Sequence, residues 1–191
     1  MMNNVIRAFI AVEIDNQARQ KISDLVSCLK KTGSDAKWIT EDQMHLTLKF
    51  LGNIGWDKVQ KISETLSVIS DSFKSFKIGF SAIGAFPNLD HPRVIWLGID
   101  KGQESLKILN GKIEAGLEKA GFAKEDREFS PHLTLARIRS PKNISNLVKL
   151  IGEKNLTPAG ELLIDKLTLF QSALTPKGAV YTALLQKSLQ N

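Results

Sequence analysis

Apolar residues recur along the chain with two periodicities, one typical of strands and one typical of helices, and these predict alternating strands and helices. Residues 5–14 are apolar at nearly every position, as expected of a central strand covered on both faces. Asp15 then offers a helix N-cap, and Gly33 a stop after the first helix. Apolar stripes at helical spacing predict four helices, which include residues 18–29, 59–73, 106–117 and 144–151.

Shorter stretches between these helices alternate or are continuously apolar, and they predict the remaining strands. Gly52 is expected to end the strand that begins at His45, and residues 85–92 are expected to form a loop that holds His91 at the surface. A turn is expected at Pro176-Lys177-Gly178. The predicted strands cover residues 37–39, 45–51, 76–80, 93–99, 132–138, 162–172 and 179–186.

One tetrapeptide occurs twice, as His45-Leu46-Thr47-Leu48 and again as residues 132–135. On a strand, each copy points His and Thr to one face and two leucines to the other. A strand, a helix and a motif strand followed by a helix recur in each half of the chain, so the repeat suggests an old duplication. We therefore expect an α+β fold with two pseudo-symmetric lobes of antiparallel-rich sheets and outer helices. Residues 1–191 would form one bilobal domain around a central cleft, with one motif per lobe.

The composition of the chain limits the cellular location and the kinds of partner that we expect. The 191-residue chain is 42% hydrophobic, enough for a real core, and its single cysteine, Cys28, allows neither an internal disulfide nor a cysteine-rich metal site. The first residues lack the apolar core of a signal peptide, so we expect none, and no apolar run is long enough to cross a bilayer. We expect a cytoplasmic monomer that binds no membrane, and the net charge of +6 favours an anionic partner such as nucleic acid.

The residue types in the repeat suit phosphoryl transfer. Imidazole titrates near neutrality, so one histidine can take a proton from water while the other gives one to a leaving oxygen. The neighbouring threonine hydroxyls can donate hydrogen bonds to anionic oxygens. A phosphate diester needs no metal for this reaction, and we expect neither a metal nor a cofactor. A core does not need the same polar pair twice, so the repetition favours catalysis over a structural role.

The repeated motif and its flanks resemble the two-histidine phosphoesterase superfamily, and within it the RNA 2′,3′-cyclic phosphodiesterases of bacteria and archaea, also called 2′-5′ RNA ligases. The resemblance covers almost the whole chain and is strongest at the two motifs. The similar segments are residues 7–11, 44–52, 86, 93–96, 129–137 and 169–181.

The resemblance implies metal-independent hydrolysis of 2′,3′-cyclic phosphate ends of RNA to 2′-phosphate ends. It implies that His45 is the general acid and His132 the general base. Thr47 and Thr134 would hydrogen-bond the phosphate oxygens, and Arg137 would add a cationic contact. The substrate would be an RNA end or a small cyclic nucleotide or oligonucleotide.

Several other residues carry weaker expectations. Arg7 and Lys49 could steer phosphate or be charges at a strand edge, and Phe50 or Phe129 could stack on a base, although packing in the core is the stronger expectation for both. Trp38 and Trp96 are expected in the core.

Three other functions remain open. They are a metalloenzyme with ligands distant in sequence, a noncatalytic module that binds RNA ends, and 2′,5′-RNA ligation or 2′,5′-phosphodiester cleavage at the same site.

Overall fold

A computed structural model of the chain describes residues 5–153, 160–176 and 178–191. The strands are β1 (Val5–Glu13), β2 (Ala36–Trp38), β3 (His45–Gly55), β4 (Phe76–Phe86), β5 (Val94–Ile99), β6 (His132–Ile138), β7 (Glu161–Ile164), β8 (Lys166–Thr175) and β9 (Gly178–Ser188). The helices are α1 (Asn16–Lys30), α2 (Asp57–Ser70), α3 (Gln103–Lys119) and α4 (Ile144–Glu153), and a short 3₁₀ turn (Glu41–Gln43) precedes β3.

The strands form two antiparallel sheets, and each sheet carries one of the two motifs. The first sheet has the order β3-β1-β8-β9 and the second β2-β6-β5-β4-β7. The first motif begins β3 and the second begins β6. In both motifs the two leucines are buried while His and Thr stay half-buried, as the alternation predicts. The α+β class and the two antiparallel halves are thus confirmed.

Asp15 caps α1 by accepting a hydrogen bond from the backbone N–H of Ala18 at 2.8 Å, as predicted.

Helix α3 makes contacts between the two halves of the fold. α3 connects two strands of the second sheet, yet it packs against α2 and against β3 of the first sheet. Within the described ranges, no helix is both long and apolar enough to cross a membrane.

Residues 162–172 were expected to form one strand, and that prediction is wrong. β7 ends at Ile164 and pairs with β4 in the second sheet, whereas β8 begins at Lys166 and pairs with β1 in the first. Buried apolar residues lie on both sides of Asp165, at Leu162 and Ile164 and again at Leu167 and Leu169, so the apolar pattern gives no sign that the chain changes sheet. One boundary also differs, because β4 extends to Phe86 and takes up the start of the predicted loop. Lys177 of the predicted turn lies outside the described residues.

A β-bulge interrupts each motif strand at the same place. In β3, Thr47 pairs with Ala11 and Lys49 with Ile10, which leaves Leu48 unpaired. In β6, the bulge falls at Leu135, the last residue of the second motif. A bulged residue shifts the alternation of side chains by one. Two residues after each bulge, the chain therefore returns to the face of the histidine, where the two motif strands carry Phe50 and Arg137.

Gly52 does not end β3 as predicted. The strand runs on to Gly55 through a second irregularity in its pairing with β1, next to Gly52, whose φ is +67°. A positive φ is accessible to glycine at little cost, so Gly52 marks a bulge within the strand.

The carbonyl groups exposed by the two bulges are satisfied in different ways. The Asn110 side chain on α3 donates from Nδ2 to the Leu48 carbonyl at 2.8 Å. The backbone N–H of Ile39 donates to the Leu135 carbonyl at 2.9 Å. The first bulge is therefore held by a helix, and the second by the residue that follows β2, the neighbouring strand of the same sheet.

Lys49 is buried, which overturns both expectations for this residue. It is 3% exposed, and its Nζ lies 2.7 Å from both carboxylate oxygens of Glu114 on α3 and 3.0 Å from the Ala123 carbonyl. Glu114 also accepts a hydrogen bond from the backbone N–H of Glu125. The pair thus joins the first motif strand to the loop that leads to the second motif.

We expect Glu114→Ala to destabilise the protein by about 3–5 kcal/mol, because it leaves the Lys49 ammonium buried without an opposite charge. Urea unfolding of the variant and the parent measures this cost. In the double variant Lys49→Met, Glu114→Leu no charge stays buried, so most of the stability should return. A double variant as unstable as Glu114→Ala would contradict this account.

Candidate active site

His45 begins β3 with its ring orientation fixed by the backbone. Its Nδ1 lies 2.7 Å from the carbonyl oxygen of Gln43. Because a carbonyl only accepts, Nδ1 carries the proton and Nε2 remains as the atom available to a ligand. The rings of Phe9 and Tyr181 pack against the imidazole, with centroids 4.7 and 5.0 Å away.

His132 repeats this arrangement in the second sheet. Its Nδ1 lies 2.7 Å from the carbonyl oxygen of Ser130, again two residues earlier in the chain. Phe86 meets the imidazole edge to face with centroids 4.9 Å apart, and Trp96 lies 6.4 Å away. Trp96 is half-buried beside the histidine, so the prediction of a core position is only partly right. Both motifs therefore hold an imidazole in one tautomer against aromatic rings.

Burial keeps both imidazoles neutral in the ligand-free protein. It lowers the pKa of His45 to about 4, although the hydrogen bond to the Gln43 carbonyl opposes the shift. Burial also lowers the pKa of His132; the Ser130 carbonyl opposes that shift and the positive charge of Arg137 adds to it. At pH 7 each Nε2 therefore presents a lone pair.

Thr47 and Thr134 lie on the same strand faces as their histidines and are half-buried. In the part of the chain that the structure describes, neither hydroxyl takes part in a side-chain hydrogen bond, so both are available to a ligand.

Arg137 and Tyr181 connect the two halves of the site. The positive charge of Arg137 acts on His132 and also on Tyr181, whose ring packs against His45. Burial raises the pKa of Tyr181, while Arg137 and Arg7 oppose that rise and Asp42 reinforces it. The two motif strands, β3 and β6, also contact each other, and Arg7 and Arg137 both lie near Tyr181.

Phe50 is 59% exposed, so the expectation that it packs in the core is wrong. Its ring lies 6.3 Å from that of Phe9, which in turn packs against His45. The bulge at Leu48 explains the difference, because it returns Phe50 to the face of His45. Phe129, by contrast, packs against the core as expected.

The structure also tests the expectations for Trp38 and His91, and it adds Tyr181 to the candidate site. Trp38 packs against the core and His91 is exposed, as predicted. Tyr181 carried no motif of its own in the sequence, and only the pairing of β8 with β9 places it beside His45. Among the described residues, no group of three or more His, Cys, Asp or Glu side chains could hold a metal ion.

These features define a protein with an imidazole and a hydroxyl on each of two contacting strands and a guanidinium beside one imidazole, a set that suits phosphoester chemistry. A family model described as LigT-like phosphoesterase matches the chain twice, over residues 12–96 and 97–181. The chain belongs to this family, within the two-histidine phosphoesterase superfamily, and the resemblance seen in the sequence is confirmed.

Relatives and solved structures agree with this assignment. The chain is 36% identical over 180 residues to a protein of Archaeoglobus fulgidus named RNA 2′,3′-cyclic phosphodiesterase, covering 94% of this chain and 98% of that one. A Methanothermobacter thermautotrophicus protein of the same name is 33% identical over 93% of this chain and 95% of its own length. A crystal structure of a Thermus thermophilus protein superposes with a TM-score of 0.80 at 26% identity, covering 97% and 99% of the two chains.

Proposed function

We propose that this protein hydrolyses the 2′,3′-cyclic phosphate at the end of an RNA chain and leaves a 2′-phosphate. The observation that carries the proposal is the pair of imidazoles, each with Nδ1 fixed by a backbone carbonyl and Nε2 left for a ligand, on strands that meet at one cleft. The shared name of the two archaeal relatives supports the same reaction.

In the proposed reaction, His132 is the general base. Its Nε2 takes a proton from a water molecule, whose oxygen attacks phosphorus. The positive charge of Arg137 favours the neutral imidazole that this role requires. The bond from phosphorus to O3′ breaks, and His45 gives the departing oxygen a proton from Nε2. Exchange with solvent then returns both histidines to their starting states.

The phosphate itself must supply the conditions under which His45 can act as an acid. With a pKa of about 4, the ligand-free imidazole holds almost no proton at pH 7. An anionic phosphodiester beside the ring favours the imidazolium and raises that pKa. Thr47 and Thr134 would donate hydrogen bonds to the nonbridging oxygens, and Arg137 would neutralise the charge that develops on them.

Phe50 would hold the terminal base. Its ring is exposed on the same face as His45 and is backed by Phe9, so a base can stack on it while the ribose phosphate reaches the histidines.

The first experiment identifies the product. A short RNA with a 2′,3′-cyclic phosphate is incubated with the purified protein in excess chelator, and the product terminus is determined. We expect a 2′-phosphate. A 3′-phosphate would reverse the leaving oxygen, and the absence of reaction would overturn the proposal.

The controls in this assay are His45→Ala and His132→Ala. Each should lower turnover at least about 100-fold, because each removes one proton transfer from the reaction. The circular dichroism spectra of both variants should match that of the parent. Near-normal turnover in either variant would exclude the two-histidine mechanism.

Phe50→Ala should lower kcat/KM about tenfold on an RNA substrate, since stacking of a base on an aromatic ring contributes roughly 1–3 kcal/mol. Phe50→Trp retains an aromatic surface and should keep most of the activity. Val68→Ala serves as the matched control, because Val68 is an apolar side chain on α2 that is 71% exposed. Equal effects of Phe50→Ala and Val68→Ala would contradict a stacking role.

The profiles of kcat/KM and of kcat against pH should both be bell-shaped, and their optima should lie at different pH values. The value of kcat/KM reports the ligand-free protein, in which burial lowers both histidine pKa values, so its optimum should fall below pH 6.5. The value of kcat reports the complex, in which the phosphate charge raises the pKa of His45, so its optimum should lie at higher pH. Steady-state rates from about pH 4 to 9 measure both. Coincident optima or a flat profile would contradict the scheme.

A further inference from the structure

Two positive side chains face each other across adjacent strands at the edge of the second sheet. Lys37 on β2 and Arg137 on β6 are directly paired in the antiparallel register, and both are exposed. Paired residues of antiparallel strands point to the same face, and like charges in this position repel. Within the described ranges neither side chain forms an ion pair that would relieve the repulsion.

Lys37 reaches toward the β8–β9 hairpin. A Cβ added to Gly178, where β9 begins, would lie 3.3 Å from Lys37 Nζ and 3.6 Å from Gln43 Nε2. The Gln43 side chain donates to the carbonyl of Ala179 at 2.7 Å, which fixes this hairpin to the turn before His45. The Lys37 ammonium therefore lies at the rim of the cleft.

Within the described residues, the acidic residues of this turn form no ion pair with Lys37. Glu41 accepts a hydrogen bond from the Ser23 hydroxyl at 2.8 Å, and the charge of Asp42 acts on Tyr181. This rim consequently presents a positive charge that is open to an anion.

The order of residues along the second motif strand places Lys37 beyond the proposed catalytic residues. His132, Thr134 and Arg137 follow one another along one face of β6. Lys37 lies one strand further out, on the edge strand of the sheet. Lys37 is therefore the next positive side chain outward from a phosphate held at His132 and Arg137.

We propose that Lys37 forms a subsite for the internal phosphate on the 5′ side of the terminal nucleotide. The site thereby selects an oligoribonucleotide end over a 2′,3′-cyclic mononucleotide. This inference rests on the proposed function and assigns its substrate class.

The test compares three substrates that share the cyclic end. They are adenosine 2′,3′-cyclic phosphate, the dinucleotide ApA with a 2′,3′-cyclic phosphate, and the same dinucleotide with a neutral methylphosphonate linkage. The variants are Lys37→Ala, Lys37→Arg and, as a control of equal charge change, Lys61→Ala on the exposed face of α2.

In Lys37→Ala, the kcat/KM of the charged dinucleotide relative to that of the mononucleotide should fall about fivefold, the range of an exposed ion pair. Its dependence on salt should weaken, because one screened charge pair is lost. Lys37→Arg should retain the preference, and Lys61→Ala should match the parent. With the parent protein, the methylphosphonate dinucleotide should have no kcat/KM advantage over the mononucleotide. Lys37→Ala should not change its kcat/KM.

Other outcomes overturn the inference. An equal loss on all three substrates would mean that Lys37 acts at the terminal phosphate. No change on any of them would mean that Lys37 only protects an edge strand from pairing with other chains. If the parent hydrolysed none of the three substrates, the proposed function itself would fail, which distinguishes that failure from loss of the subsite alone.

Discussion

The candidate site depends on two backbone irregularities, the β-bulges at Leu48 and Leu135. Without them, strict alternation would send Phe50 and Arg137 to the opposite faces of their strands, away from the histidines. α3 holds the first bulge through Asn110 and through the buried pair of Lys49 with Glu114. The same pair reaches Ala123 in the loop before the second motif, so one buried contact links the local geometry of both halves.

The two halves share a tetrapeptide but differ in the two residues after it. The first strand continues with Lys49 and Phe50, and the second with Ala136 and Arg137. The first position turns inward in both strands, where one half buries an ion pair and the other a methyl group. The second position turns to the site, where one half offers an aromatic face and the other a charge. A repeated scaffold thus yields an asymmetric site, which suits an asymmetric ligand that has a base at one end and a phosphate at the other.

Local pattern was enough to predict the helices, the Asp15 cap and the faces of both motifs, because each depends on neighbours a few residues apart. It failed where the outcome depends on a distant partner. Burial of Lys49 requires Glu114, which lies on another element. The split of residues 162–172 depends on which strands are available for pairing on each side of Asp165, and the exposure of Phe50 depends on a bulge defined by β1. Tyr181 reaches His45 only through the pairing of β8 with β9.

The electrostatics of the cleft suggest how its two similar imidazoles could take opposite roles. Burial holds both neutral, and within the described residues no carboxylate is hydrogen-bonded to either ring to stabilise a positive charge. Arg137 lies beside His132, and its repulsion opposes a proton on that imidazole. An anion bound in the cleft would raise the pKa of both imidazoles, but Arg137 would counter that rise at His132. In the proposed reaction, the charge of the substrate would create the acid, and the fixed charge of Arg137 would preserve the base.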